Sequence, residues 1–185
     1  MAELQKWKLL QSKMVINHHY CKVRRDEIEL PNGKVIDDFF VHIKPDIAFV
    51  LAITPNQEII FVRQYRHAME DFFIELPAGG FNSEKENPEA AALRELEEET
   101  GYVPQSITKI ATLYNAPSKD TNQIHLFVGE NAVKVSEQNL DITEEIEVLL
   151  IPINEVLSKI EKGEISVVSS VAALFIGINY LKAQK

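Results

Sequence analysis

The sequence predicts an α/β domain preceded by a β-rich N-terminal unit, and three observations predict it. β-Branched and aromatic residues concentrate in two short runs, 46-DIAFVLAIT-54 and 58-EIIFVRQYR-66, the composition of buried strands. One segment, 87-NPEAAALRELEEETG-101, carries both a start and a stop signal for a helix. The most apolar stretch, 166-SVVSSVAALFIGINYL-181, is long enough for a helix, yet Ser169, Ser170 and Asn179 interrupt it and it is short for a bilayer.

Taken in order, residues 8–16 and 20–30 read as strands, and 31-PNGK-34 as the turn of a hairpin, because Asn-Gly accepts positive φ. The run 35-VIDDFFVHI-43 then returns antiparallel to its predecessor. These segments form the expected N-terminal unit, residues 1–45. Residues 46–185 form the expected main domain. Within it the two apolar strands are joined at Pro55-Asn56-Gln57. Pro88 suits the first helical turn, Asn87 can cap it, and Gly101 can end it in the left-handed region. Strands are predicted near 106–115, 123–130 and 146–152, and helices near 153–162 and 166–182.

Twenty-eight acidic and 19 basic residues leave a net charge of −9, which argues against a nucleic-acid partner held by a general basic surface. A phosphate-bearing ligand would need local help from a metal or a few arginines. The single Cys21 excludes an intrachain disulfide and suits a reducing compartment. The N-terminal residues carry no apolar signal core, so the expected location is cytoplasmic, with no membrane partner. The five histidines are scattered apart from His18-His19, whose side chains would leave a strand on opposite faces, so no zinc site is predicted. Neither a P-loop nor a G-x-G-x-x-G fingerprint is present.

The helix carries an anomaly, 94-RELEEETGY-102. At 100° per residue Glu95, Glu98 and Glu99 fall in one arc, beside an apolar arc of Ala92, Leu93 and Leu96. Like charges at these spacings oppose the helix by roughly 0.2–0.5 kcal/mol per pair. Converging carboxylates suit a hard divalent cation, which also takes waters and phosphate oxygens. Arg94, four residues before Glu98, can brace the cluster from its edge. A solvated acidic face would carry the same charge, so spacing has to decide. Gly80 is followed after five residues by Glu86, then after seven by Arg94-Glu95-Leu96, Glu98-Glu99 and Gly101-Tyr102. That string resembles the Nudix box, G-x5-E-x7-R-E-U-x-E-E-x-G-U with U a bulky apolar residue. Tyr102, at a position more often aliphatic, is the soft departure.

The resemblance implies a Nudix α/β/α sandwich and a pyrophosphohydrolase that cleaves a nucleoside diphosphate linked to another group. It makes Glu95 and Glu99 the principal metal ligands and Glu98 a further ligand or an acid just behind them, with Mg²⁺ expected and Mn²⁺ possible in its place. Glu98 and Glu99 are also implied in catalysis, Glu86 becomes an outer ligand, and a backbone carbonyl in Ala78-Gly79-Gly80 completes the site. Ala78 is the first choice, although the Ala-Gly-Gly entry is one residue longer than usual. Gly80 and Gly101 are expected at turns that need φ > 0.

Outside the box the chain resembles the ADP-ribose and nucleoside-diphosphate-sugar pyrophosphatase branch, through 62-VRQYR-66, 75-ELPAGG-80 and Pro117, sixteen residues beyond Gly101. This makes Arg66 a contact for phosphate or terminal ribose and Glu75 a second substrate residue, with an internal arginine pairing as the alternative for Glu75. Ser118 and Asn122 stand where the branch often has glycine and an acid. A GDP-mannose-type sugar nucleotide or a dinucleotide therefore stays open as substrate, as does a non-catalytic nucleotide-sugar-binding module. The branch often draws its catalytic base from a loop outside the box, which here offers Glu144 first and Glu145 second. It also exchanges N-terminal strands between subunits and stacks an aromatic on the base. A homodimer is expected, with Tyr20 chosen from Trp7, Tyr20, Phe39 and Phe40.

Overall fold

The computed structural model describes residues 4–184, and the chain divides into two compact units. The first comprises the residues up to Pro45 together with Tyr114–Asn122; the second comprises Asp46–Leu113 and Gln123 onward.

In the first unit β1 (Lys8–His18), β2 (Cys21–Glu29) and β3 (Val35–His42) form an antiparallel sheet with β2 in the middle. Gly33, at φ 81°, closes the second hairpin, and its N–H donates to the Leu30 carbonyl at 2.8 Å. Asp26 is buried on the sheet, where its carboxylate accepts from Ser12 at 2.6 Å and Arg24 at 3.0 Å. The histidine pair departs from expectation. His19 lies in the turn rather than in β1, which brings its ring to 4.4 Å from that of His18. The segment that carries Pro117 is stitched to the end of β3: the His42 N–H donates to Lys119, and the Thr121 N–H donates back to His42. Asp120 accepts from Lys44 at 2.7 Å and faces His42 Nδ1 at 3.0 Å. These bonds hold its carboxyl below the usual range. β1 is exposed along its whole length.

The second unit is layered. One sheet runs β7-β4-β10-β9, built from Ala78–Phe81, Asp46–Ala52, Ile124–Glu130 and Ser106–Leu113, with β4 and β10 parallel and the other pairs antiparallel. A second, antiparallel sheet runs β12-β5-β6, built from Ile146–Pro152, Glu58–Arg66 and Asp71–Glu75. Two short strands, β8 (Tyr102–Val103) and β11 (Val133–Lys134), pair with each other. The helices are α1 (Pro88–Thr100), α2 (Val156–Glu161) and α3 (Val168–Ala183).

Alternation along β4 sorts the core into two sides. Ala48, Val50 and Ala52 join Ile60, Phe127 and the apolar face of α1, namely Ala91, Ala92 and Leu96. Phe49, Leu51 and Ile53 join Ile59, Phe61, Leu126 and α3, through Ala173, Leu174 and Ile178. Strands between α1 on one side and α3 on the other make an α/β/α sandwich, as predicted. Close approach on the α3 side depends on Gly177, where an added Cβ would lie 2.5 Å from Leu51 Cδ1. Ser170, which interrupts the apolar run, is fully buried because its hydroxyl accepts the Leu76 N–H at 3.1 Å. Among the described residues no helix is long and apolar enough to cross a membrane.

Three local expectations are corrected. Residues 71–75 and 78–81 are strands that local patterning did not separate from the approach to the box. The helix predicted from residue 153 begins at Val156, after the turn that follows Pro152. Gly80 is extended within β7, opposite Ile47, and is not among the glycines at positive φ. The chain does not double back there, so left-handed backbone is confined to Gly101 within the box.

Candidate active site

α1 begins where its cap dictates. Asn87 is extended, and its side chain accepts the Ala90 N–H at 2.8 Å. At the other end Gly101 adopts φ 76°, and its N–H donates to the Glu97 carbonyl at 2.7 Å. With both ends set, the apolar arc faces β4 and the glutamates fall along its border.

Arg94 is the centre of the cluster rather than its edge. Its guanidinium donates to both oxygens of Glu86 at 3.0 and 2.9 Å, to Glu95 at 2.8 Å and to Glu98 at 3.0 Å. One planar fork thus gathers three carboxylates from the helix and the preceding loop. The Glu86 carboxyl is held below its ordinary range by this pairing. Arg94 itself is pushed further into its charged form, first by Glu86 and then by Glu95 and Glu98. Among the described residues no group of three His, Cys, Asp or Glu side chains is gathered as a metal cage.

Glu99 is different. It is 4% exposed, and its carboxylate accepts one neutral donor, the Ala78 N–H at 3.2 Å. Burial, followed by repulsion from Glu95, pushes its carboxyl up to about 8. Burial also raises Glu95, against the opposing pull of Arg94. Two neighbouring carboxylates whose ionisation is opposed by burial, in spite of Arg94 beside Glu95, suit a hard cation. The donor set therefore fits the divalent metal that the motif implies.

Gly79 supplies the space. An added Cβ there would lie 2.0 Å from Glu95 Cδ and 2.2 Å from each carboxylate oxygen. The motif's fixed glycines do not include Gly79, so sequence spacing passes over it; the Gly-Gly doublet is the one signal that could have found it. The stretch Ala78–Gly80 thus adjoins both carboxylates, through its N–H to Glu99 and its bare Cα to Glu95.

The loop after β11 reaches the same place. Gly101 permits it to approach, since a Cβ there would lie 2.2 Å from the Ser136 carbonyl oxygen. Glu144 is half-buried in this loop, and its charge opposes ionisation of both Glu95 and Glu99. Glu145 is exposed, and Glu147 turns away to pair with Arg63 at 3.2 Å. Arg66, at the end of β5, feels the charges of Glu99 and Glu144 and is bound through two nitrogens to buried Glu75 at 2.7 and 3.0 Å. Glu86, Glu95, Glu98, Glu99, Arg94, Glu144, Arg66, Glu75 and Ala78 thus belong to one connected constellation in the second unit. Pro117 and Tyr20 belong to the first unit, where Tyr20 is 79% exposed at the β1–β2 turn with its ring 3.8 Å from that of His19.

Known proteins resemble this chain in sequence and in fold. The NUDIX domain matches residues 44–171, and the nucleoside diphosphate sugar hydrolase N-terminal domain matches residues 7–42. The chain belongs to the Nudix family. It is 38% identical over 141 residues to an ADP-ribose pyrophosphatase of Bacillus subtilis, covering 76% of this chain and 75% of that one. It is 31% identical over 186 residues to the methanol dehydrogenase activator of Bacillus methanolicus, covering 100% and 97%. A GDP-mannose pyrophosphatase of Salmonella typhimurium is 33% identical over 163 residues, covering 82% and 84%. The crystal structure of an ADP compounds hydrolase superposes with a TM-score of 0.88 at 23% identity, covering 100% of this chain and 98% of that chain.

Proposed function

We propose that the protein is a divalent-metal-dependent pyrophosphohydrolase that cleaves ADP-ribose or a related nucleoside diphosphate sugar to a nucleoside monophosphate and a sugar phosphate. The observation that carries this reading is the Glu95–Glu99 pair within a Nudix box, Glu99 buried and Glu95 half-buried against the bare Cα of Gly79, with burial and their mutual repulsion opposing ionisation of Glu99. Glu95, Glu98 and Glu99 would hold Mg²⁺ or Mn²⁺, with a backbone carbonyl from Ala78–Gly80 and with Glu86 outside. Such a cation, when bound, offsets phosphate charge and lowers the pKa of the attacking water.

The remaining groups act around it. Arg94 holds Glu86, Glu95 and Glu98 in place. Glu144, carried on a loop rather than on the metal-binding helix, accepts the proton of the attacking water. Arg66 remains half-exposed while Glu75 orients it, which suits an arginine that binds a phosphate of the substrate. Tyr20 is the aromatic proposed to stack on the base.

The partner proposed is a second copy of this chain. β1 exposes Leu9, Leu10, Met14, Val15 and Ile16, each at 40% or more, an apolar strand that needs cover. A homodimer with exchanged N-terminal strands supplies it, and light scattering should return twice the chain mass of 21.0 kDa. The N-terminal unit, residues 1–45, would serve this contact, and residues 46–185 the hydrolysis.

The test is a panel of ADP-ribose, GDP-mannose and a dinucleotide, incubated with Mg²⁺ or Mn²⁺ and with the phosphate-bearing products identified. Hydrolysis of a nucleotide sugar to two monophosphates is the expected result. No turnover of any member, with no uptake of either metal by calorimetry, would refute the proposal.

A further inference from the structure

We infer that Gln138 is a positioning residue, whose side-chain amide ties the Glu144 loop at once to the C-terminal end of α1 and to the start of β12. A helix leaves its last carbonyls without intrahelical partners, and the chain after β11 satisfies those of α1 in sequence. Val135 and Ser136 donate to the Gly101 carbonyl at 2.8 and 3.2 Å, and the Asn139 N–H donates to Glu98 at 2.8 Å. The Glu99 carbonyl is taken by a side chain instead: Gln138 Nε2 donates to it at 2.6 Å and to the Ile146 carbonyl at 3.1 Å.

These two bonds reach both hydrogens of one amide nitrogen and two elements that backbone pairing does not join. One acceptor is the main chain of the residue whose carboxylate is buried in the site. The other opens β12. Gln138 and Ile146 are thereby held together as the neck of a loop, residues 139–145, with Glu144 two residues before Ile146. Within the loop the Glu144 N–H donates to Asp141 at 2.9 Å, and the Asp141 N–H donates back to the Glu144 carboxylate at 3.0 Å. The turn that presents Glu144 is thus locally formed; Asn139 fixes the loop's first residue to α1, and the neck fixes the end from which Glu144 is carried. A misplacement of about 1 Å at a reacting group can cost roughly a hundredfold in rate.

The inference rests on the proposed role of Glu144 as base, and the test separates the two. Gln138→Met keeps the volume and removes both donors. Gln138→Asn, one methylene shorter, serves as the second variant if Gln138→Met fails to fold. The expected result is a fall in kcat of tenfold or more, with KM and the divalent dissociation constant within twofold of the parent, and faster amide exchange at residues 139–145. In a Glu144→Gln background the same substitution should change kcat by less than twofold, because there is no longer a base to place. An equal loss in both backgrounds would show that Gln138 serves only as a helix cap and would overturn the inference, as would parental kcat in either Gln138 variant. If Glu144→Gln alone keeps full turnover, the base assignment fails; exchange at 139–145 then judges the anchoring by itself, and unchanged protection in the Gln138 variants refutes it.

Discussion

Replacing Gly79 with alanine should separate folding from function. Gly79 is not at positive φ, so alanine fits the backbone. A new Cβ would lie 2.0 Å from Glu95 Cδ, whereas carbon atoms rest at about 3.5–4.0 Å, so the carboxylate must retreat by roughly 1.5 Å. Mg²⁺ demands near-ideal ligand positions, and such a retreat removes Glu95 from any site shared with Glu99. A rate loss of about a hundredfold or more is expected, with divalent affinity weakened at least about tenfold, or ~1.4 kcal/mol. The fold should scarcely notice. The displaced group is the end of a flexible side chain, the Arg94 bond it gives up is partly exposed and contributes about 1 kcal/mol at most, and glycine-to-alanine in a permitted conformation returns about 0.4–1 kcal/mol. Melting temperature should move by no more than ~4 °C. Calorimetric titration with Mg²⁺ and Mn²⁺, run beside thermal melting and steady-state kinetics, makes the measurement. Parental affinity and turnover in Gly79→Ala would refute the reasoning, because Glu95 could then work without the space the glycine leaves.

Other perturbations bear on charge and packing. With Glu99 raised from an ordinary 4.5 to about 8, the folded chain binds a proton that the unfolded chain has released between those values, so metal-free stability should fall as pH rises through that window. Each tenfold gain in proton affinity on folding corresponds to about 1.4 kcal/mol, so melting in a chelating buffer at pH 5 and pH 8 should show the slope, and Glu99→Gln should flatten it while lowering turnover by orders of magnitude. Arg94→Met leaves three carboxylates without their cation. Its side chain is 37% exposed, so the expected cost is about 1 kcal/mol rather than the 3–5 of a fully buried pair, and added divalent metal should recover part of it in a melting assay. Gly177→Ala forces a methyl against fully buried Leu51 and should destabilise by about 1–3 kcal/mol, read by chemical denaturation, with divalent affinity in the folded fraction unaltered.

Much of the site was legible because its information is local. Asn87, Pro88 and Gly101 are chemical punctuation, each acting within a turn of its own position, and they set the ends of α1 to the residue. A helix of known phase then dictates which glutamates share a face, so Glu95, Glu98 and Glu99 could be grouped from spacing alone. Continuous apolar runs likewise marked β4 and β5, because strands buried on both faces need apolar residues at every step. The strands at 71–75 and 78–81 were missed for the converse reason: their partners, β5 and β4, define them, and their own short runs do not.

What no local pattern contains is which groups meet across the fold. Arg94 looked like a brace at the margin because sequence spacing shows its helical neighbour Glu98 but not Glu86, which a loop returns to the same guanidinium. Gly79 draws its importance from a carboxylate sixteen positions away, Glu95. Glu144 was preferred over Glu145 by analogy, and it is the packing of its loop on the end of α1 that places its charge beside Glu99. The sequence by itself determined the helix, its carboxylate face and the family to which they belong, since these follow from bond geometry within a few residues. Tertiary structure decided which carboxylate is neutralised by arginine and which is buried without a counter-charge, because desolvation and Coulomb energies depend on distances that only the folded chain sets.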